Sequence, residues 1–290
     1  MIKIRRILFV LILSVAYPAI ADIAVRAEPL PGTTKESLQQ QLDRAASEAR
    51  DRDVMYLTGL MFDRGEGVPQ DYREAFRWYV LAAEAGQPGA MNSLGLMYAL
   101  GHGVSQDHSE AMKWWTKAAD SGSLAALANI ATTYYAGIGV QQSYPEAAKW
   151  FQLAADKGDA NAMNTLGVMY AHGFGVTQDR RNAIKLFGQS ADLGCSSAMV
   201  NLGTLYAAGK GVKHDNALAY AWLIAALAFG VPAEEHDATV YTLGMTAARL
   251  GPSQLPRAQG LARKIALTII NRQARTPDSK SDQARLGSMI

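Results

Sequence analysis

Residues 90–122 read AMNSLGLMYALGHGVSQDHSEAMKWWTKAADSG, and this stretch decides the fold of the chain. Its first part spaces Ala90, Leu94 and Tyr98 four residues apart, which predicts an apolar stripe along one face of a helix. Gly101 follows that stripe and predicts the end of the helix, since glycine adopts the positive φ of a C′ position without strain. A second apolar stripe follows the turn. The stretch therefore predicts a hairpin of two helices.

The hairpin is repeated along the chain. A Gly-x-Gly-Val motif recurs every 36 residues, and its five copies begin at Gly65, Gly101, Gly137, Gly173 and Gly209. One helical hairpin cannot bury its own apolar faces, so neighbouring copies must stack. We therefore expect an all-α solenoid over residues 53–232, with repeats at 53–88, 89–124, 125–160, 161–196 and 197–232.

Glycine also recurs inside the first helix of most repeats. A glycine there costs about 1 kcal/mol relative to alanine. Its recurrence predicts that another helix approaches closely at these positions, which are Gly59, Gly95, Gly167 and Gly203.

The second helix of each repeat carries a start signal and an aromatic column. Asp107 and Glu110 form a capping-box pattern, in which the cap accepts a backbone N–H bond and the glutamate bonds back to the cap. The same pattern occurs in two other repeats, at Asp71/Glu74 and Ser143/Glu146. We expect the recurrent large side chain to mark the buried centre of this helix, and its members are Trp78, Trp114, Trp150, Leu186 and Trp222.

These columns together resemble the Sel1-like repeat. The residues that carry the resemblance in the second repeat are Ala90, Leu94, Gly95, Tyr98, Gly101, Gly103, Val104, Asp107, Ala111, Trp114, Ala118, Ala119 and Gly122. The resemblance implies a right-handed α-solenoid related to tetratricopeptide repeats. It also implies an adaptor that holds proteins or peptides, since family members act in signalling, secretion, flagellar motor assembly and host interaction. A cysteine-rich branch is associated with β-lactam binding or hydrolysis, but the single Cys195 departs from its pattern of one disulfide per repeat.

The start of the chain has the pattern of a secretory signal peptide. Lys3, Arg5 and Arg6 precede an apolar run that ends in an Ala-x-Ala site, which predicts cleavage after Ala21. A transmembrane anchor is the alternative, but the apolar run is shorter than the roughly 20 residues that span a bilayer. We therefore expect a periplasmic or secreted protein. Cleavage would change the net charge from +2 to −1.

The remaining segments are expected to flank the repeats. Terminal repeats need polar outer faces, which predicts capping elements at both ends. The predicted segments are a flexible stretch at 22–34, an N-terminal capping helix at 35–52, two C-terminal capping helices within 233–275, and a disordered tail at 276–290.

The sequence shows no pattern typical of an enzyme. It lacks the Ser-x-x-Lys of serine β-lactamases, Gly-x-Ser-x-Gly, His-Glu-x-x-His and a P-loop. Asp107 and Glu110 are explained as a cap. The histidines are interpreted as solvated turn residues rather than metal ligands, and they are His102, His108, His172, His214 and His236. We predict no enzyme activity, cofactor or metal, with a β-lactam or cell-wall hydrolase as the less favoured alternative.

The near-neutral charge gives no reason to expect nucleic acid as a partner. In such solenoids the first helix of each repeat is expected to line a concave face, where asparagine amides can bond a peptide backbone. A variable solvated surface is the alternative interpretation. The candidate residues for binding a protein or peptide are Tyr56, Leu60, Asn92, Leu96, Thr132, Tyr135, Asn164, Val168, His172, Asn201 and Thr204.

The last predicted helix is basic. No acidic residue occurs between 238 and 277. A basic amphipathic helix can lie on an anionic membrane, here through Arg257, Arg263, Lys264 and Arg272. We favour the alternative of a terminal cap, whose apolar side packs on the solenoid; that side comprises Leu255, Leu261, Ala262, Ile265 and Ile269.

Overall fold

The computed structural model describes residues 51–274, which form twelve α-helices and no β-strand. The helices are α1 Arg52–Arg64, α2 Tyr72–Glu84, α3 Pro88–Leu100, α4 His108–Asp120, α5 Leu124–Ala136, α6 Tyr144–Asp156, α7 Ala160–His172, α8 Arg180–Asp192, α9 Ser196–Ala208, α10 Asn216–Phe229, α11 Ala233–Ala248 and α12 Leu255–Gln273. The all-α fold of repeated helix pairs is the predicted one. The predictions for residues 1–50 and 275–290 lie outside the described residues.

The described helices group into two compact units. Unit 1 comprises residues 51–130 with 138–140, and unit 2 comprises residues 131–137 with 141–274. In unit 1, α1 packs on α2 and α3 packs on α4. In unit 2, α7 packs on α8 and α9 packs on α10. Helices α1, α3, α5, α7 and α9 are the first helices of their repeats.

Glycines end the first helices as predicted. Gly101 follows α3 with φ of 74°, and its N–H donates to the Met97 carbonyl at 2.8 Å. The second glycine of the motif has a further role. Gly103 has φ of 71°, and a Cβ there would overlap the backbone carbonyl of Tyr72 in the preceding repeat. The turn therefore needs glycine both for its conformation and for contact between repeats.

The glycines inside the first helices meet side chains of the second helix of the same pair. A Cβ at Gly59 would lie 2.5 Å from the Tyr79 ring, and a Cβ at Gly167 would lie 2.7 Å from the Phe187 ring. Gly95 faces the Trp115 indole in the same way. The predicted close approach is therefore confirmed.

The buried centre of the second helix is one residue later than predicted. Trp114 is only half-buried, whereas Trp115 is 5% exposed and its Nε1 donates to the Asn92 carbonyl at 3.2 Å. Trp78 and Leu186 are buried, but the tryptophan column as a whole is not the core column. The column that is buried in every repeat is Tyr79, Trp115, Phe151, Phe187 and Leu223.

Only one of the two hydrogen bonds of the predicted capping box forms at the start of α4. Asp107 Oδ1 accepts bonds from the N–H groups of Ser109 at 2.9 Å and Glu110 at 3.0 Å, as predicted. The predicted bond from the Asp107 N–H to Glu110 is wrong, because this N–H donates to the Tyr98 carbonyl at 2.8 Å. Glu110 instead bonds Lys113 at 2.5 Å, and this hydrogen bond raises the pKa of Lys113.

The two C-terminal helices pack on α10 within unit 2. Ile269 of α12 joins the core cluster that contains Ala225, Ala226 and Phe187. At the end of α12, Gln273 Nε2 donates to the Leu193 carbonyl at 3.2 Å. Helix α12 thus has its apolar side against the repeats, which is the arrangement expected of a cap. None of the described helices is long and apolar enough to span a membrane.

Candidate partner-binding surface on the first helices

Every residue of the predicted partner surface lies on a first helix, and none of them is buried. The exposed members are Leu96, Thr132, His172 and Thr204, and the others are half-buried. Whether these residues contact a partner stays a prediction.

In unit 1 the surface near α1 is formed by packed aromatic and aliphatic groups. Tyr56 and Leu60 pack against the core, and the Tyr56 ring lies 5.8 Å from the Tyr79 ring. The Tyr79 hydroxyl donates to Asp63 Oδ2 at 3.0 Å. Burial, with a smaller effect of the Asp63 carboxylate, raises the pKa of Tyr79, so its hydroxyl stays a donor. The Tyr79 hydroxyl in this part of the surface is therefore engaged with Asp63 and protonated.

Each unit has a hydrogen-bonded asparagine pair on its first helices. In unit 1, Asn129 Nδ2 donates to Asn92 Oδ1 at 2.9 Å. In unit 2, Asn201 Nδ2 donates to Asn164 Oδ1 at the same distance. Both pairs join residues 37 positions apart, and the second pair follows the first by 72 positions, or two repeats. Sequence reasoning found Asn92, Asn164 and Asn201 but not that asparagines bond each other across neighbouring repeats.

Unit 2 also has a run of aromatic rings at the turn edge. Phe174 stacks on Tyr144 with centroids 5.3 Å apart and on His172 at 5.4 Å. Tyr135 meets Tyr144 edge-on at 5.2 Å. The predicted surface residues Tyr135 and His172 are therefore linked through two rings that sequence reasoning missed.

A signal for this stacking exists in the sequence. The middle residue of Gly-x-Gly is His102 or Phe174 in two repeats, and an aromatic residue opens the preceding second helix 30 positions earlier. In unit 1 the corresponding pair, Tyr72 and His102, stacks at 4.5 Å. His102 is half-buried and His172 is exposed, and each also packs on an aromatic ring, which the interpretation of these histidines as solvated turn residues did not include.

Among residues 51–274, no three His, Cys, Asp or Glu side chains lie close enough together to hold a metal ion. Cys195 precedes α9, and its Sγ lies 3.7 Å from Asn161 Oδ1. Asp107 and Glu110 are both engaged in the helix start and its ion pair, as described above.

One cavity of about 370 Å³ lies in unit 2 between α6, α7 and α8. Its polar lining includes Gln152, Asp156 and Lys185. Gln152 Nε2 already donates to Asp156 Oδ1 at 2.7 Å. The cavity contains none of the predicted surface residues and no nucleophile placed beside a base.

Comparison with known proteins gives the family. The profile of the Sel1 repeat matches residues 53–87, 88–123, 124–159, 160–195 and 196–228. The chain belongs to the Sel1-repeat family. Proteins of this family are generally protein-interaction scaffolds without catalytic activity.

Two solved structures share this fold. A Sel1 repeat protein from Oxalobacter formigenes is 31% identical, with a TM-score of 0.66 over 87% of this chain and 96% of that one. The second is c5321, a protective antigen of uropathogenic Escherichia coli strains that displays an SLR fold. It is 27% identical, with a TM-score of 0.66 over 93% of this chain and 64% of that one. No curated protein matches the chain.

Proposed function

We propose that this Sel1-repeat protein is a non-enzymatic adaptor that holds a protein or an extended peptide against the first helices of its repeats. The observation that carries the proposal is the asparagine pair, which each unit has on its first helices. A surface that binds an extended chain needs polar side chains, because the backbone of an extended peptide offers donors and acceptors that must be satisfied.

The asparagine pairs are suited to this task. Each side chain has one acceptor oxygen and two donor hydrogens. The bond between Asn164 and Asn201 uses one acceptor and one donor and fixes the orientation of both amides. Both residues are half-buried, so part of each stays accessible to a partner. A pre-oriented amide loses little conformational freedom when it binds, which favours affinity.

The proposed place of action is the bacterial envelope or the exterior of the cell. The signal-peptide pattern in residues 1–21 supports this proposal. The similarity to c5321, a protective antigen, also supports it. The role there would be in signalling, envelope assembly or host interaction.

Site-specific photocrosslinking in living bacteria tests the proposal. A photoreactive residue at Thr132 on α5 should form adducts with one dominant protein, which mass spectrometry then identifies. The matched control is Thr116, an exposed threonine on the second helix α4, which should give no such adduct. Asn201→Ala should weaken binding of the identified protein. Equal labelling from both threonines, or none from either, would contradict the proposed surface.

Attachment to a membrane surface through α12 is the second candidate. Arg257, Arg263 and Lys264 are exposed, and none of them forms an ion pair with another residue of the described range. Arg272 instead pairs with Asp192. If this candidate holds, the full chain should float with anionic vesicles in low salt, and Arg263→Glu should abolish flotation. Since the apolar side of α12 packs on α10, we expect no flotation at physiological salt.

A further inference from the structure

Helix α11 in unit 2 has an apolar face that the described residues do not cover. Tyr241 is 71% exposed and Met245 is 44% exposed. The residues that α11 buries are two threonines, Thr239 and Thr246. Their hydroxyls bond back within the helix, to the carbonyls of Glu235 at 2.8 Å and Thr242 at 2.7 Å. The two side chains that the helix buries are therefore small and polar, whereas Tyr241 and Met245 are exposed.

The exposed residues form one continuous face. Positions three, four and seven residues apart share a side of a helix. Asp237, Tyr241, Met245 and Ala248 meet this condition, and all four are exposed. Gly244 lies at the edge of the same face, and a Cβ there would meet nothing within 4 Å. Gly244 and Ala248 beside Tyr241 and Met245 leave room for another helix to approach closely, and tyrosine and methionine are enriched in protein interfaces.

The charges on α11 are arranged to match a second copy of the same helix. Glu234 is exposed at the N-terminal end of the helix, and Arg249 is exposed directly after its C-terminal end. Within the described residues neither forms an ion pair. If two such helices pair antiparallel about Tyr241, Glu234 of each chain lies near the partner's Arg249. The helix dipoles are then also opposed, which is favourable.

We propose that α11 is the contact surface of a two-fold symmetric homodimer in which Tyr241 packs near the axis. A two-fold interface must be self-complementary, and α11 has this property in both its apolar centre and its charged ends. A helix of 16 residues is about 24 Å long. A contact confined to one helix of this length buries an area at the low end for specific interfaces. We therefore expect a reversible dimer with a dissociation constant in the micromolar range.

Sedimentation equilibrium of the purified full chain tests the dimer. Over roughly two decades of concentration around the micromolar range, the average mass should rise from one chain to two. Tyr241→Asp should raise the dissociation constant at least about tenfold, because it replaces the central aromatic contact by a charge. The control is Leu267→Asp on α12, an exposed leucine outside the proposed contact, which should leave the dissociation constant unchanged.

Charge exchange distinguishes a second copy from any other occupant of this face. Glu234→Arg alone and Arg249→Glu alone should each weaken the dimer, because each places like charges opposite one another. The double variant should restore it, because the two sites face each other across the axis. A wild-type chain that is monomeric at every concentration would overturn the proposal, as would a double variant weaker than both single variants. If residues 275–290 cover α11 instead, the wild type is monomeric and their removal speeds hydrogen exchange in α11.

Discussion

Helices α3 and α11 show how differently the chain treats an interior helix and a terminal one. Helix α3 packs on both α2 and α4, and it buries Ala90, Leu94, Gly95 and Met97. Helix α11 is three residues longer, yet it buries only two threonines and leaves Tyr241 largely exposed. Both helices contain an internal glycine. In α3 the glycine accommodates the Trp115 indole, whereas in α11 a Cβ at Gly244 would meet nothing.

The difference shows that the burial of an apolar residue, or the contact made at a helical glycine, depends on where its repeat lies in the chain. Each repeat is covered by its neighbours. The same residue types therefore form core in the interior and an exposed face at an end. Substitutions at interior contacts should therefore be costly, whereas substitutions on the exposed face of α11 should be tolerated.

The largest expected effect concerns Trp115, whose indole packs against Gly95 of α3. Trp115→Ala should lower the free energy of unfolding by about 4 kcal/mol, because it removes a buried indole and leaves a cavity. It also removes the bond from Trp115 Nε1 to the Asn92 carbonyl. Trp114→Ala is the matched control and should cost about 1–2 kcal/mol, since that side chain is half-buried. Urea unfolding followed by circular dichroism measures both. A larger loss for Trp114 would place the buried column where the sequence alone predicts it.

The turn after α3 should be nearly as sensitive. Gly103→Val needs a β-branched residue at φ of 71° and forces its Cβ against the Tyr72 carbonyl. We expect a loss of about 3 kcal/mol from strain and overpacking. Lys117→Ala, on the exposed face of α4, should cost about 0.5 kcal/mol through its contact with the Trp114 ring. Equal thermal unfolding midpoints for the two variants would contradict the close contact between neighbouring turns.

The same substitution in α3 and α11 tests the comparison directly. Gly95→Ala gains helix propensity but overlaps Trp115, so it should be destabilising by about 1–2 kcal/mol. Gly244→Ala meets open space, so it should be stabilising by up to about 1 kcal/mol. Chemical denaturation of both variants at one low protein concentration shows whether each substitution raises or lowers the free energy of unfolding. If both variants were stabilised, α3 would be as open as α11.

The smallest effect concerns Tyr79, which has the only hydroxyl in the buried aromatic column. Tyr79→Phe removes the bond to Asp63 and should cost about 1 kcal/mol at neutral pH. Burial raises the pKa of Tyr79 in the folded state. The unfolded chain therefore releases this proton first, at the ordinary tyrosine pKa near 10, and wild-type stability falls above that pH. The phenylalanine variant lacks this loss. The difference in free energy of unfolding between wild type and variant should therefore become smaller in alkaline solution. A difference that stays constant with pH would contradict the buried protonated tyrosine.

The sequence predicted the helix pairs well because helix ends depend on local chemistry. Gly101 ends α3 and Asp107 starts α4 through interactions within a few residues. The wrong predictions concern contacts across pairs. Trp114 and Trp115 are adjacent and both lie near the apolar side of a helix, so periodicity alone does not decide which faces Gly95. Glu110 fits the capping box by spacing, but the Asp107 N–H already binds a carbonyl of the preceding helix.

For the candidate site, the sequence predicted the positions of residues but not the bonds between their side chains. The positions of Asn92 and Asn164 follow from the 36-residue period, because the period fixes which residues point away from the packing columns. The bonds Asn92–Asn129 and Asn164–Asn201 join different columns of neighbouring repeats. The ring contacts of His172 likewise depend on a side chain in the following turn. Such contacts depend on how side chains are oriented in space.

The sequence by itself determined the family, the number of repeats and the ends of the helices, since glycine conformation, capping and helical period act over a few residues. Tertiary structure alone decided which aromatic side chain is buried, how the asparagines pair and which helix face stays uncovered. These outcomes depend on what stands opposite each residue. Tyr241 and Tyr79 illustrate the point, because one is exposed and the other buried, although both are tyrosines in the middle of a helix.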